Sequence, residues 1–361
     1  MQSKQKAFLK ELCESVTPTG SEISGQRVVA NYLKSSADKI SLDAHGNLHC
    51  VLNPKAKKRV MLDAHCDEIG LITQFVDKDG FVFVQPLGGV NIQLLPGERV
   101  VFAGANGETV AGVIGRKAIH LMSAKERESG VADISDLWVD IGAKSEKEAL
   151  EVLPLGSSGI VEAGWRELRN GLVSCRAFDD RAGVFVVAEA FRIMAERARE
   201  GRGPKVAVHC VSSTQEEVGL LGATTAAFGV EPHAGIAVDV TFASDDPGGV
   251  PKKVSSIKLG GGPVLAVGPT YDSGLNGVLQ AAAKAAETPL QIQPRNRGNS
   301  TDAFAIRQCR AGAPVALVSV PLRYMHSAVE VVALDDLAKA ALLLADAVCA
   351  LPENFAFGPK L

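Results

Sequence analysis

From its N-terminus the chain first repeats hydrophobic positions at helical spacing. The pattern predicts a helix over about Lys4–Val16, stopped near Pro18, and a second over about Glu22–Ser35 with Ser21 as its N-cap. A strand segment follows around Ser41–Leu52, turned at Gly46-Asn47. The next run, Arg59–Ala64, is nearly continuous in apolar residues, as a strand buried on both faces is.

Between about residues 71 and 164 the pattern changes. Short alternating runs (LITQFV, FVFVQP, ERVVFAG, ETVAGVIG, DLWVDIG) are separated by Asp79-Gly80, Gly88-Gly89, Pro96-Gly97 and Asn106-Gly107. Short strands punctuated this way predict a small β-barrel, with one helix near Glu146–Glu151. After about Trp165 longer helices and strands alternate. Helices are predicted near Asp180–Glu200, Leu220–Phe228, Gly274–Glu287 and Leu334–Leu351, and strands near Lys205–Val211, Gly235–Asp239 and Pro314–Val320. The expected fold class is α/β, a mostly parallel sheet flanked by helices. One domain spans residues 1–70 plus 165–361, interrupted by a β-barrel over 71–164.

Composition narrows the function classes. The 361 residues are 46% hydrophobic and 22% charged, enough for a sizeable core and about two domains. Charge is nearly balanced, with 38 basic and 41 acidic residues, which speaks against nucleic-acid or anionic-membrane binding. The cluster Lys55–Arg59 follows Asn53-Pro54 and reads as a solvated loop. Seven cysteines with no Cys-x-x-Cys spacing suit a reducing compartment. The charged N-terminus and the lack of an uncharged apolar run of about 18 residues lead to the expectation of a cytoplasmic protein.

The chemistry gathers where strands end. VMLDA runs into His65-Cys66-Asp67-Glu68, VAVHCVSST into Gln215-Glu216-Glu217, AGIAV into Asp239, and PVALVSV through to His326. Asp179-Asp180 precedes the long helix. Open α/β sheets bind ligands at these strand ends. Taken singly, each residue has an ordinary structural reading: a core histidine, a helix-starting acid, a solvated turn. Together they bring two histidines and several carboxylates to one sheet edge. So many carboxylates repel unless a cation sits among them, and the set exceeds one three-ligand site, fitting two metals that share a bridging carboxylate. Asp67, two residues after His65, is placed to hold the imidazole's other nitrogen. Cys66 should point away into the core, and Gly260–Gly262 reads as a loop shaping the site.

These motifs resemble a known family. TPTGSE (17–22), DAHCDEIG (63–70), AFDDRAG (177–183), STQEEVGLLGA (213–223), VDV (238–240), STDA (300–303) and RYMHS (323–327) are similar, in order, to segments of the tetrahedral (TET) or glutamyl aminopeptidases. These are cytosolic dinuclear metallopeptidases, some of which carry the name endoglucanase. Cys66 stands where Met is usual, and Asn299-Ser300 replaces a more Gly-rich stretch. The resemblance implies that His65, Asp179 and Glu217 bind one metal, and that Asp179, Asp239 and His326 bind the other. It makes Glu216 the general base and Asp67 the residue that orients His65. It implies two divalent ions per subunit, zinc before cobalt or manganese, short peptides as substrates, and self-association through the barrel to dimers and a dodecamer. The apolar stretch Val84–Leu95 is the expected contact, and the barrel carries none of the expected ligands. The same metal core would serve an N-acyl amino-acid deacylase or a dipeptidase. A glycosidase using Glu216 with a second acid, and a non-catalytic metal-stabilised scaffold, are the more distant alternatives.

Overall fold

The computed structural model describes residues 1–298 and 300–358. Eight strands form the main sheet. Their spatial order is Lys39–Leu42, Leu48–Leu52, Ala207–Ser213, Arg59–His65, Ala234–Phe242, Val315–Leu322, Val264–Val267 and Gln291–Pro294. The four middle strands are parallel. The first two form a hairpin that joins them antiparallel, and Val264–Val267 is antiparallel to Val315–Leu322.

Helices cover both faces, which explains the apolar run at Arg59–His65. Val60, Leu62 and Ala64 pack into a layer with Ser3–Glu14, Ile23–Leu33, Phe178–Arg199, Ser273–Ala285 and Leu334–Cys349. Met61 packs on the other face, against Leu221–Val230 and Asp302–Arg307. Burying each of Val60, Leu62 and Met61 is worth roughly 1.5–3 kcal/mol. Asp63 and His65 follow the same alternation as Met61, so His65 projects from the end of its strand on that second face.

The strands Gly70–Val76, Val82–Leu87, Leu137–Asp140, Thr109–Arg116, Arg99–Ala103 and Ser158–Val161 close into a barrel in that order. Leu71, Val82, Val84, Val100, Phe102, Ile114 and Val139 fill it. Any side chain at Gly159 would run into the Phe102 ring.

Some elements differ from the sequence reading. The second helix is Ile23–Leu33 with Glu22 as N-cap, and the Ser21 hydroxyl instead meets that of Ser158 at 2.9 Å. The barrel region holds a second short helix, Ala124–Glu128, besides Glu146–Val152. The strands Val264–Val267 and Gln291–Pro294, the helix Asp302–Arg307 and a three-stranded sheet (Arg166–Glu167, Leu172–Cys175, Glu330–Ala333) were not expected. Among the described residues no helix is long and apolar enough to cross a membrane.

Candidate metal centre

Parallel pairing puts the chemistry-bearing strand ends on one edge. His65 is the last residue of its strand and stands level with Ser213. On its other side Asp63 is level with Ala237, so two residues further on Asp239 comes beside His65. Glu216 and Glu217 lie in the turn after Ala207–Ser213, and His326 in the turn after Val315–Leu322. Asp179 and Asp180, joined by a cis peptide, have non-helical backbone at the start of Phe178–Arg199.

The side chains converge on Asp179. One of its carboxylate oxygens lies 3.2 Å from His65 Nε2 and the other 3.3 Å from His326 Nε2. His326 Nε2 is also 3.7 Å from Glu217, and His65 Nε2 is 4.0 Å from Glu216. Asp179, Glu217 and His326 each offer a ligand atom within 4.8 Å of the others, and so do His65, Asp180 and Asp239. A third, overlapping group joins His65, Glu216 and Glu217.

Neighbouring residues fix these side chains. His65 Nδ1 faces the Asp67 carbonyl at 3.2 Å and its carboxylate at 3.4 Å, leaving Nε2 aimed at Asp179. The Asp67 carboxylate also accepts the amides of Glu216 (3.0 Å) and Glu217 (3.3 Å), holding the turn that presents both glutamates. His326 Nδ1 meets the Gly89 carbonyl at 2.9 Å, so the insertion does reach the site, and its loop helps set the His326 tautomer. Part of the stretch Val84–Leu95 lies here too, since Val90, Asn91, Leu94 and Leu95 line a cavity beside Glu217 and His326.

Two expectations need correction. The resemblance implied Asp239 together with His326, but among the described residues these share no ligand group. Asp239 stands with His65, because their strands are neighbours, and His326 stands with Glu217. Gly260–Gly262 does not line the cavities at the site; the amides of Gly260 and Gly262 donate to Asp336 at 2.7 and 2.8 Å. Cys66 is buried in the core, as expected. Of the Asn299-Ser300 departure, Asn299 lies outside the described residues, while Ser300 lines a cavity at the site.

Sequence reasoning missed several supports. Glu330 is buried and accepts the amides of Asp179 (3.0 Å) and His326 (2.9 Å). Its register opposite Cys175 brings it there, and nothing in AVEVV signals it. Glu68, in the DAHCDEIG segment, pairs with Arg176 and Arg181 at 2.5–2.6 Å beneath the site. Asp302 accepts from Ser213 at 2.8 Å, deep beside Asp63.

The electrostatics ask for cations. Burial, with Asp239, Asp302 and Glu217 nearby and His65 opposing, pushes Glu216 up to about 10. Burial and Asp179 push Glu217 up to about 8 and Asp239 to about 7. Hydrogen bonding to Asp179 lifts His326 to about 9. Burial would depress His65, yet Glu216, Asp179 and Asp67 raise it well above its ordinary range. One Asp180 oxygen is buried without a hydrogen-bond partner among the described residues. Without cations these carboxylates must compete for protons. A set of imidazole nitrogens and carboxylate oxygens suits zinc and neighbouring transition metals, so the residues present fit a metal centre.

Two cavities flank it. One borders the barrel loop and is lined by apolar residues that include Ile69, Leu71, Val90 and Leu94. The other is lined by His65, Asp239, Thr241 and Arg295 among others.

Comparison with known proteins agrees with this architecture. The profile of the M42 glutamyl aminopeptidases matches residues 46–343. The lysyl aminopeptidase of Pyrococcus furiosus is 36% identical over 325 residues, 90% of each chain. The TET aminopeptidase of the marine-sediment archaeon Thaumarchaeota archaeon SCGC AB-539-E09 superposes with a TM-score of 0.89 at 32% identity, covering 96% of both chains. The TET1 peptidase of Pyrococcus horikoshii, described as able to assemble into a tetrahedron or a large octahedral shell, gives 0.83 at 30% identity, over 96% of this chain and 100% of that one. With a profile covering most of the chain and a curated relative this similar over 90% of its length, the chain belongs to the M42 glutamyl aminopeptidase family and is a metallo-aminopeptidase.

Proposed function

We propose that the chain uses two divalent ions to remove N-terminal residues from short peptides. The observation that carries this reading is Asp179, whose two oxygens face His65 and His326 separately. One ion would be held by His65, Asp179 and Asp239, the other by Asp179, Glu217 and His326. Zinc suits this donor set, and cobalt and manganese share it. Bound there, the ions would acidify a water and polarise the scissile carbonyl.

The chain's own residues do the rest. Glu216 belongs to neither proposed tripod, yet lies 4.0 Å from His65. It takes a proton from the attacking water and returns it to the leaving amine. The rise that burial and neighbouring carboxylates impose on Glu216 is what bound cations would oppose, bringing it toward the range of a working base. Asp67 keeps His65 oriented, and Glu330 holds the backbones of Asp179 and His326 in place.

The same reading includes assembly. Ile119 and Leu121, between barrel strands, are 61% and 72% exposed. Apolar side chains this open suit a protein contact, and a relative assembles into a shell. The barrel then mediates dimers that build a dodecamer.

A panel of aminoacyl p-nitroanilides against N-acetyl amino acids tests the activity. Hydrolysis of the free-amine substrates, lost on chelation and restored by zinc, cobalt or manganese, is expected. Turnover of N-acetyl amino acids alone would assign the site to a deacylase instead.

A further inference from the structure

One helix packed on the main sheet carries no charge on any side. Leu221–Val230 is the only α-helix among the described residues without an Asp, Glu, Lys or Arg. The charge-free run begins earlier, at Val218, and ends only at Glu231. A surface helix turns an apolar stripe to the core and charged residues to water. The inward stripe is present here: Ala226, Ala227 and Val230 pack in one buried cluster with Met61, Val211 and Ile306. The outward stripe is not charged. Leu221, Thr224, Thr225 and Phe228, at helical spacing, are the side chains it exposes. Leu221 is 41% exposed and Phe228 58%, and Val218, in the preceding turn, is 43%. Both threonines spend their hydroxyls on the chain itself: Thr224 donates to the Leu220 carbonyl at 2.8 Å and Thr225 to that of Gly222 at 2.9 Å. A helix that is apolar all round belongs inside a core, and this one has a core on one side only.

Charge appears at the edge of this face. The Arg310 guanidinium lies over the Phe228 ring at 4.0 Å, donates to the Phe228 carbonyl at 3.0 and 2.9 Å, and pairs with Glu231 at 2.7 Å. Arg59 donates to the Glu231 carbonyl at 3.0 and 2.9 Å. Phe228 is thus an aromatic held in place before it meets any partner. An apolar centre with an aromatic anchor and a charged rim is the anatomy of a protein–protein contact.

Symmetry says which partner. A two-fold contact uses the same patch on both copies and closes on itself at two. Pairing through the barrel surface at Ile119 and Leu121 therefore stops at a dimer. A shell made of such dimers needs a second contact, of different symmetry, elsewhere on the chain. The Leu221–Val230 face packs with the main sheet and not with the barrel, and so is a surface separate from the first.

We propose that the exposed face of Leu221–Val230, anchored by Phe228, is the contact through which one dimer binds a second copy of this chain from the next dimer. The assignment rests on the assembly reading above. It is tested by light scattering on the metal-loaded protein at micromolar concentration. The wild type should be a shell, and Phe228→Asp should lower its mass to that of a dimer, about sixfold if the shell is a dodecamer. Leu221→Asp, at the other end of the face, should do the same, while Phe228→Leu should keep the shell. Adding Ile119→Asp and Leu121→Asp to Phe228→Asp should leave monomers. The circular dichroism spectrum and the hydrolysis of an aminoacyl p-nitroanilide per chain should persist in the dimers. Should Phe228→Asp not fold, Leu221→Asp decides. Full-sized shells from both charged variants would overturn the assignment and leave the assembly reading intact. Monomers from Phe228→Asp alone would overturn it too, by making this face the two-fold contact. A wild type that stops at the dimer would overturn it and spare the barrel contact, and a monomeric wild type would remove both.

Discussion

Glu216 and Glu217 are adjacent in sequence but face different partners. Glu217 lies 3.7 Å from His326, within the group that Asp179 completes, whereas Glu216 faces His65 at 4.0 Å. Glu216→Gln should keep both metals and lose kcat by about 10²–10⁴-fold, the scale of a general base. Glu217→Gln should instead lower metal content at one site. Metal analysis beside steady-state kinetics separates the two, and exchanged phenotypes would reverse the assignment. A second residue prediction concerns stability. Burial, aided by His49, Arg59 and Lys39, pulls His209 down to about 4 from an ordinary 6.5. Between those values the unfolded chain binds more protons than the folded one, so stability falls as pH drops through that window. His209→Gln should flatten that limb of urea midpoints measured from pH 7 to pH 4, and an unchanged slope would contradict it. Most candidate ligands were legible because each follows an apolar run or precedes a helix. Glu330 was not, since an acid in a short strand acquires meaning only from what the fold sets against it.

Element order explains what the sequence could not divide. Apolar runs announced the four parallel strands, and turn residues announced the barrel strands. Neither says that Arg59–His65 lies between Ala207–Ser213 and Ala234–Phe242. That order alone puts Asp239 beside His65 and leaves His326 to Glu217. The two short strands at the far edge escaped because each has only four residues and lies among loops. The barrel loop adds a prediction of its own. A Cβ on Gly89 would sit 2.6 Å from His326 Nδ1, where the ring now meets the Gly89 carbonyl. Gly89→Ala must therefore move the ring or the loop. Metal affinity should drop about 10–100-fold, the usual consequence of disturbing a ligand's supporting hydrogen bond. The loss should fall on the ion bound by Asp179, Glu217 and His326 and spare the other. Competition with a chromogenic chelator reads this, and two unperturbed sites would show that the insertion does not support His326.

At the scale of the whole molecule, the barrel has two tasks in this account: the loop at Gly89 completes the metal centre, and the surface near Ile119 and Leu121 joins subunits. Ile119→Asp combined with Leu121→Asp should reduce the mass seen by light scattering while far-ultraviolet circular dichroism and metal content hold. A wild-type protein that is already monomeric at micromolar concentration would refute assembly and leave the chemistry untouched. The central claim is that two ions, sharing Asp179, are needed for peptide-bond hydrolysis. The most direct measurement is a titration of chelator-stripped protein with zinc, following bound metal and the hydrolysis of an aminoacyl p-nitroanilide together. The account predicts two equivalents per chain, with full activity reached only as the second binds. Full activity at one equivalent, or in protein holding no metal, would contradict it.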